Sequence, residues 1–167
     1  MNTNYHKETI DFFYQSPVGL ILIQTDGTSI LALDFLLNGK EKPFDLKHPL
    51  YIKIKTELDE YFEGVRRKFT LPLKIAGTDF QKSVWDELLK IPYGKTASYQ
   101  DIAIRLHKPK AMRAVGGANH VNPVAIIIPC HRVIGKNGSM TGYASGIEIK
   151  EYLLSMEKQH AGYKNRF

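Results

Sequence analysis

The sequence predicts an α+β fold in two parts, a small unit of strands with one helix followed by a mostly helical part. Up to about residue 73, apolar residues occur in short runs bounded by turn signals, which is typical of strands. From Thr78 onward they recur at the three- and four-residue spacing of helices. Residues 74–77 separate the two patterns, so we expect one domain at residues 1–76 and a second at residues 77–167.

The first part is predicted to contain three strands, a helix and a fourth strand. Turn signals at 16–19 and 26–27 separate strand-like runs at 10–14, 20–25 and 29–35. Apolar residues at four-residue spacing predict a helix over 50–62, and alternation over 69–73 predicts the last strand. No cluster of reactive side chains occurs in this stretch of sequence, so we interpret it as a scaffold.

Capping boxes define the helices of the second part. Thr78 with Gln81 begins a helix that ends before Pro92, and Ser98 with Asp101 begins a short helix to about residue 106. A further helix is predicted over 110–120. Two short helices joined by a tight turn, both in this basic segment, describe a helix-turn-helix motif.

That second helix is rich in small residues. Gly116 and Gly117 in its interior cost about 2 kcal/mol relative to alanine, so another backbone is expected to come close. Tight packing against another helix is one explanation. The alternative is DNA pressed against the helix, with Arg113 one turn from Gly117 on the same face.

Charge supports a polyanionic partner for the same region. The chain has a net charge of +6 and a pI near 9.3. Residues 98–136 carry +5 of this excess, with six basic residues against the single acid Asp101. Composition is otherwise that of a globular protein. It contains no apolar stretch of membrane-spanning length, and its start lacks the pattern of a secretory signal, so a cytoplasmic location is expected.

The single cysteine, Cys130, is the candidate nucleophile. The apolar run 124–128 predicts a buried strand that Pro129 ends, leaving Cys130 accessible at the rim of a sheet. His131 would face away from the sulfur on a regular strand, so it is expected to take the thiol proton through a water molecule. Arg132 either lowers the thiol pKa or fixes the backbone, and we favour the structural role. We expect Cys130 to be ionised at neutral pH.

Two segments follow the cysteine. The glycine-rich stretch 138–146 lacks the lysine of a phosphate-binding loop, so no nucleotide site is expected. A closing helix over 147–158 is predicted to bury Ile149, Tyr152, Leu153 and Met156, with Glu157 beside that face and solvated.

Three linked motifs resemble the O6-alkylguanine-DNA alkyltransferases, also called methylated-DNA-protein-cysteine methyltransferases. They are the segments RAVGGAN at 113–119, Asn122-Pro123, and IPCHRVIG at 128–135, in the order and spacing of that family. The resemblance extends over residues 79–157. It implies a ribonuclease H-like first domain and a winged-helix-like second domain.

The resemblance also implies roles for individual residues. Cys130 is similar to the alkyl acceptor, His131 and Glu157 to its ionising partners, and Asn122 to a hinge asparagine. Tyr99 resembles the donor that protonates the departing guanine, and Arg113 resembles the finger that replaces an extruded nucleotide. The other implied contacts are, for DNA, Ser98, Lys110, Ala114 and Gly117, and, for the base, Tyr143, Ala144, Ser145 and the carbonyl of Val133.

The implied activity is single-turnover repair of O6-alkylguanine, and of O4-alkylthymine, in double-stranded DNA by a monomer. No cofactor and no metal are expected. Ala125 stands where some members of the family have proline, which leaves the width of the pocket open. Two other hypotheses are a helix-turn-helix regulator with an incidental cysteine, and a cysteine hydrolase, whose histidine normally lies in a distant segment.

Overall fold

The computed structural model describes residues 8–140 and 142–163. The predictions above also cover the start of the chain and Thr141 of the glycine-rich stretch. Both lie outside the described residues. The α+β prediction is confirmed, since a small sheet with one helix precedes a mostly helical region. None of the helices in the described ranges has the length and apolar character needed to cross a membrane.

The three predicted strands form one antiparallel sheet. It consists of β1 (Ile10–Ser16), β2 (Gly19–Thr25) and β3 (Ile30–Phe35) in that order. Helix α1 (Pro49–Phe62) places its apolar stripe in the core beside the sheet, with Ile54 and Leu58 fully buried. The hairpins and this helix follow the predictions.

The predicted strand at 69–73 is wrong. Only one isolated bridge exists there, where the amide of Ile30 donates to the carbonyl of Pro72 at 2.8 Å. Pro72 has no N–H to continue a ladder. The amide of Thr70 donates instead to the buried carboxylate of Glu57 at 2.8 Å. Side-chain bonding thus replaces strand pairing in this segment.

The helices of the second part confirm the capping predictions. Helix α2 (Asp79–Leu88) begins at the Thr78 capping box, and α3 (Tyr99–Arg105) begins at the Ser98 capping box. Helix α4 (Met112–His120) follows a short turn and completes the helix-turn-helix motif. The indole N–H of Trp85 donates to the carbonyl of Ala118 at 2.9 Å, which fixes α4 against α2.

The predicted strand at 124–128 is also wrong, although all five of its residues are buried. Only Val124 makes a bridge, to Leu33 at the edge of β3. The backbone then turns through Ile126, whose φ of 68° is a strained conformation for a β-branched residue. The amide of Ile128 returns to the carbonyl of Val124 at 3.1 Å. Hydrogen bonds within the turn therefore pair the backbone groups of this apolar segment in place of a strand partner. Cys130 then begins a 3₁₀ helix that ends at Arg132.

The closing helix α5 (Ile147–Tyr163) is longer than predicted, and the exposure of Tyr152 and Glu157 differs from expectation. Tyr152 is 38 % exposed, whereas Glu157 is fully buried. Lys150 on the same helix is fully buried as well. Lys150, Leu153 and Glu157 share a helix face at spacings of three and four residues, and hydrogen-bond partners in the interior make burial of the two charges possible.

Two short pairings position the cysteine segment. Strands β4 (Ala97–Ser98) and β5 (Val133–Ile134) are parallel, and they connect the start of α3 to the residues just after the 3₁₀ helix. On the other side, Leu33 of β3 donates to the carbonyl of Pro123 at 2.9 Å. The segment containing Cys130 is thereby held between the sheet and the helix-turn-helix motif.

Candidate active site

Cys130 lies in the interior, contrary to the expectation of an accessible, ionised thiol. Its side chain is 5 % exposed. Burial raises the pKa of the Cys130 thiol to about 11, although the Asn122 amide and the charge of Lys150 act in the opposite direction. At neutral pH the resting protein therefore holds a protonated sulfur, and reaction requires a base.

Asn122 connects α4 to the cysteine segment. Its Nδ2 lies 3.0 Å from Sγ of Cys130 and 2.9 Å from the carbonyl oxygen of Ile128, and its Oδ1 accepts the amide of Val124 at 3.0 Å. One side chain therefore fixes the end of the helix, the turn and the sulfur. This geometry is consistent with the hinge role that the family resemblance implies for Asn122.

His131 is fully buried and bonds to Glu157 rather than to the thiol. Its Nε2 lies 2.7 Å from Oε1 of Glu157. Burial lowers the pKa of His131, against the opposing effect of Glu157, so the imidazole is neutral. Because Glu157 is ionised, Nε2 carries the hydrogen and Nδ1 is the acceptor. Among the described residues no group hydrogen-bonds Nδ1.

The carboxylate of Glu157 is the centre of the buried polar cluster. Arg132 donates to it through Nε and Nη2, both at 2.9 Å, and the amide of Gly94 donates at 3.1 Å. The hydroxyl of Tyr61 also donates, to Oε1 at 2.8 Å. Burial alone would raise the pKa of Glu157, but His131 and Arg132 hold it well below its usual range. The prediction of a solvated glutamate is wrong because α5 turns this side chain toward four donor residues.

Arg132 has the structural role favoured from the sequence. Besides its two bonds to Glu157, its Nη1 donates to the carbonyl of Ile91 at 2.7 Å. The guanidinium also lies 5.6 Å from the ring centroid of Tyr93. It therefore stabilises the Glu157 carboxylate, and Cys130 is not among its hydrogen-bond partners.

Tyr99 begins α3 directly after β4, and the β4–β5 pairing brings it toward the cysteine segment. Burial raises the pKa of Tyr99, as does the charge of Cys130 when the thiol is ionised, so the phenol keeps its proton at neutral pH. A side-chain carbon added at Gly142 would lie 3.2 Å from the Tyr99 hydroxyl. The glycine-rich stretch thus passes close to this hydroxyl.

A cleft of about 560 Å³ opens beside α4. Its walls include Tyr99, Arg113, Gly116, Lys136 and Gly142, but not Cys130. Arg113 is exposed at this mouth. The sulfur of Cys130 therefore lies behind the walls of this cleft rather than at its surface.

The two glycines of α4 do not serve close packing against another helix. A side-chain carbon added at Gly117 would meet no atom within 4 Å, and one at Gly116 would only touch the Tyr99 ring at 3.9 Å. Packing against another helix is therefore contradicted as the reason for Gly117. The other predicted DNA contacts lie at the same motif: Ala114 and Lys110 are exposed, and Ser98 is half-buried at the start of α3.

The predicted base-covering segment is fastened to the first part of the chain. The hydroxyl of Ser145 donates to Oδ1 of Asp34 at 2.8 Å. Tyr143 is buried, and Ala144 is exposed. The carbonyl of Val133 accepts the ammonium of Lys150 at 2.5 Å, and a carbonyl oxygen has a second lone pair for a base amine.

Comparison with known proteins identifies the family. Residues 79–159 match the DNA binding domain of 6-O-methylguanine DNA methyltransferase, and residues 11–75 match the ribonuclease-like domain of the same protein. A methylated-DNA–protein-cysteine methyltransferase of Methanosarcina barkeri is 49% identical over 150 residues, covering 87% of this chain and 95% of that protein. The chain belongs to the 6-O-methylguanine DNA methyltransferase family.

Solved structures agree with this assignment to the 6-O-methylguanine DNA methyltransferases. The crystal structure of the Mycobacterium tuberculosis O6-methylguanine methyltransferase superimposes with a TM-score of 0.83 at 40% identity, covering 92% of this chain and 94% of that one. A complex of the M. tuberculosis protein with DNA gives a TM-score of 0.80 at 41% identity, covering 90% and 93%. The family predicted from the linked motifs is confirmed.

Four residues that contact this candidate site were given no role from the sequence. Asn119 donates to the Cys130 carbonyl at 3.4 Å, and Lys150 bonds to Val133. Both could have been found, because each is a polar residue on an otherwise apolar helix face. Tyr61 and Asp34 gave no such signal, since their contacts with the second part of the chain join residues distant in sequence.

Proposed function

We propose that this protein repairs O6-alkylguanine in double-stranded DNA by transferring the alkyl group to Cys130. The observation that carries the proposal is the buried relay in which Glu157 holds the Nε2–H of His131, leaving Nδ1 of the residue next to the thiol as a base. The relatives are named for transfer from methylated DNA to a protein cysteine. Cys130 is the single cysteine of this chain.

Access to the alkyl carbon requires extrusion of the damaged nucleotide. Oxygen 6 of guanine faces the major groove within the base stack, and sulfur must approach the alkyl carbon from behind. Helix α4 enters the groove, and Arg113 fills the space left in the duplex. The base enters the cleft beside Tyr99, and the segment containing Tyr143, Ala144 and Ser145 moves to admit it.

Proton transfer to His131 makes the sulfur nucleophilic. The thiol proton passes through a water molecule to Nδ1, and the resulting imidazolium is stabilised by the carboxylate of Glu157. The amide of Asn122 supports the thiolate with its hydrogen bond to Sγ. The sulfur electron pair then forms the bond to the alkyl carbon.

Guanine leaves as that bond forms. The carbon–oxygen bond breaks with its electrons moving to oxygen 6, and the Tyr99 hydroxyl donates a proton to the base. The tyrosinate regains a proton from the imidazolium through solvent, so that overall the thiol proton is transferred to guanine. The product is a thioether, which neither water nor another thiol displaces, and each molecule acts once.

The same geometry extends to O4-alkylthymine, whose alkylated oxygen also faces the major groove. We further propose that the protein acts as a monomer in the cytoplasm, where reducing conditions preserve a lone thiol. No cofactor or metal takes part in the proposed steps.

The experiment is peptide mass spectrometry after incubation with an excess of O6-methylguanine duplex. We expect the Cys130 peptide to gain the mass of one methylene group, with one methyl per protein molecule at the plateau. Cys130→Ser is the matched control and should remain unmodified. An unmodified wild-type peptide despite duplex binding would indicate a regulator or damage-binding module, and repeated turnover on an ester would indicate a hydrolase.

A further inference from the structure

Oε1 of Glu157 accepts hydrogen bonds from both parts of the chain. Nε2 of His131 lies 2.7 Å from it, and the hydroxyl of Tyr61 lies 2.8 Å from the same oxygen. Tyr61 belongs to α1 in the ribonuclease-like part and is separated from Glu157 by 96 positions. Tyr61 is 1 % exposed, and the other two are fully buried.

The position of the Tyr61 hydroxyl is fixed by the rings around it. Its ring centroid lies 5.1 Å from that of Phe62, 5.4 Å from that of Phe69 and 5.8 Å from that of Tyr93. Aromatic packing of this kind restricts rotation of the ring. The hydroxyl is consequently preorganised toward Glu157.

We infer that Tyr61 is a positioning residue for the transfer reaction: its hydroxyl, by sharing Oε1 of Glu157 with His131, sets how readily His131 accepts the thiol proton. This inference rests on the proposed function. It connects the first part of the chain, interpreted from sequence as a scaffold, to the base His131 through the carboxylate of Glu157.

The direction of the effect follows from charge. A hydroxyl bonded to Oε1 withdraws electron density from the oxygen that stabilises protonated His131. Without that hydroxyl, Glu157 remains ionised through Arg132 and accepts the His131 N–H more strongly. Protonated His131 is then favoured, and the neutral base needed for the reaction persists only at higher pH.

The other charged groups around His131 and Glu157 are retained when Tyr61 is substituted. Arg132 binds both oxygens of Glu157, and the charges of Arg132 and Lys150 both disfavour protonation of His131. Tyr93 and Tyr143 are further titratable groups that the charge of Glu157 reaches. Burial and Glu157 raise the pKa of Tyr93 to about 12, and burial with Cys130, Asp34 and Glu157 raises the pKa of Tyr143 well above its ordinary value. Both therefore stay neutral through the pH range of the test.

The test compares Tyr61→Phe with the wild type in alkyl transfer from free O6-benzylguanine as a function of pH. Free base removes any pH dependence of DNA binding. We expect the acid limb of the rate profile to move to higher pH by roughly 0.5–1 pH unit. Tyr51→Phe is the matched control, because it removes a buried hydroxyl from the same helix that donates to the Phe13 carbonyl. Its profile should coincide with that of the wild type.

A second variant gives the opposite expectation. Difluorotyrosine incorporated at Tyr61 is a stronger donor of nearly the same shape, so it should move the acid limb to lower pH. It also keeps the inference testable if Tyr61→Phe does not fold. An equal loss of rate at every pH, or a profile that neither variant shifts, would overturn the inference. Failure of the wild type to acquire the benzyl group at Cys130 would instead reject the proposed function.

Discussion

At the scale of single residues, the reactivity of the thiol depends on which groups lie within hydrogen-bond distance rather than on which are adjacent in sequence. Cys130, His131 and Arg132 are consecutive, yet the last two direct their polar atoms to Glu157. The sulfur instead receives the amide of Asn122 at 3.0 Å. A buried, protonated thiol is protected from chance electrophiles, which suits the single-turnover reaction proposed above.

Arg132→Ala is expected to destabilise the fold by about 3–5 kcal/mol, because it leaves the buried carboxylate of Glu157 without its two-point partner. Urea unfolding measures the change. Lys55→Ala is the control: Lys55 pairs with Asp59 at 2.6 Å on the surface of α1, and such pairs contribute about 1 kcal/mol or less. Similar losses in the two variants would show that Arg132 is not the partner that stabilises Glu157.

Arg113→Ala is expected to slow repair of duplex far more than transfer from free O6-benzylguanine, because only duplex requires a nucleotide to be extruded. Arg113 is exposed and lines the cleft beside α4. Rates on the two substrates, with Arg105→Ala as a basic control on the preceding helix, measure the difference. Equal losses on both substrates would contradict the finger role.

At the scale of secondary structure, α4 contains a glycine that lowers its stability and leaves its outer surface open. Gly117 lies inside this helix with no atom within 4 Å of the position where a side chain would begin. The free protein therefore gains nothing from glycine there. We expect DNA to approach this face closely, since a side chain at Gly117 would hold the phosphate backbone away.

Gly117→Ala is expected to stabilise the free protein by about 1 kcal/mol through helix propensity. It should also weaken duplex binding by roughly tenfold, about 1.4 kcal/mol. Urea unfolding and fluorescence anisotropy with labelled duplex measure the two effects. Gly162→Ala in the last turn of α5 also meets open space and serves as the control that leaves duplex binding unchanged. A stabilised variant that binds duplex as the wild type does would reject close approach of DNA at Gly117.

Sequence patterns within a few residues predicted the helices well, whereas strand pairing between distant segments could not be predicted from them. The capping boxes at Thr78 and Ser98 placed α2 and α3 correctly because their hydrogen bonds lie within four residues. The predicted strands at 69–73 and 124–128 failed because burial of an apolar run does not determine how its backbone is bonded. There, Glu57 and Asn122 supply side-chain hydrogen bonds that replace a ladder.

At the scale of the whole molecule, both parts of the chain contribute to the site. Tyr61 reaches Glu157, Asp34 holds Ser145, and β3 binds the segment before Cys130. The linked motifs predicted Cys130 as the acceptor and pointed to its immediate neighbours, because those residues lie close together in the chain. The contributions of α1 and β3 could not be predicted, since no local pattern shows which distant carboxylate or hydroxyl a side chain will meet.

The buried cluster is expected to make stability fall in acid. The pKa of His131 lies below its ordinary value of 6.5, and that of Glu157 lies below 4.5, so the unfolded chain binds both protons more readily than the native protein. The free energy of unfolding should therefore decrease as pH falls below 6.5 and more steeply below 4.5.

Urea unfolding across this range measures the slope. His131→Gln should flatten the portion nearest neutrality, whereas His120→Gln, a change at an exposed histidine, should leave it as in the wild type. A free energy of unfolding that is independent of pH over this range would contradict the buried neutral imidazole.

The protonation of Cys130 in the resting protein is most directly tested by the pH dependence of its carbamidomethylation by iodoacetamide, followed on the Cys130 peptide by mass spectrometry. The predicted result is slow modification at neutral pH with a midpoint near 11, in a protein that still accepts methyl from O6-methylguanine duplex at neutral pH. A midpoint at or below neutral pH would contradict it, because a thiol already ionised at rest has no need of His131 as its base.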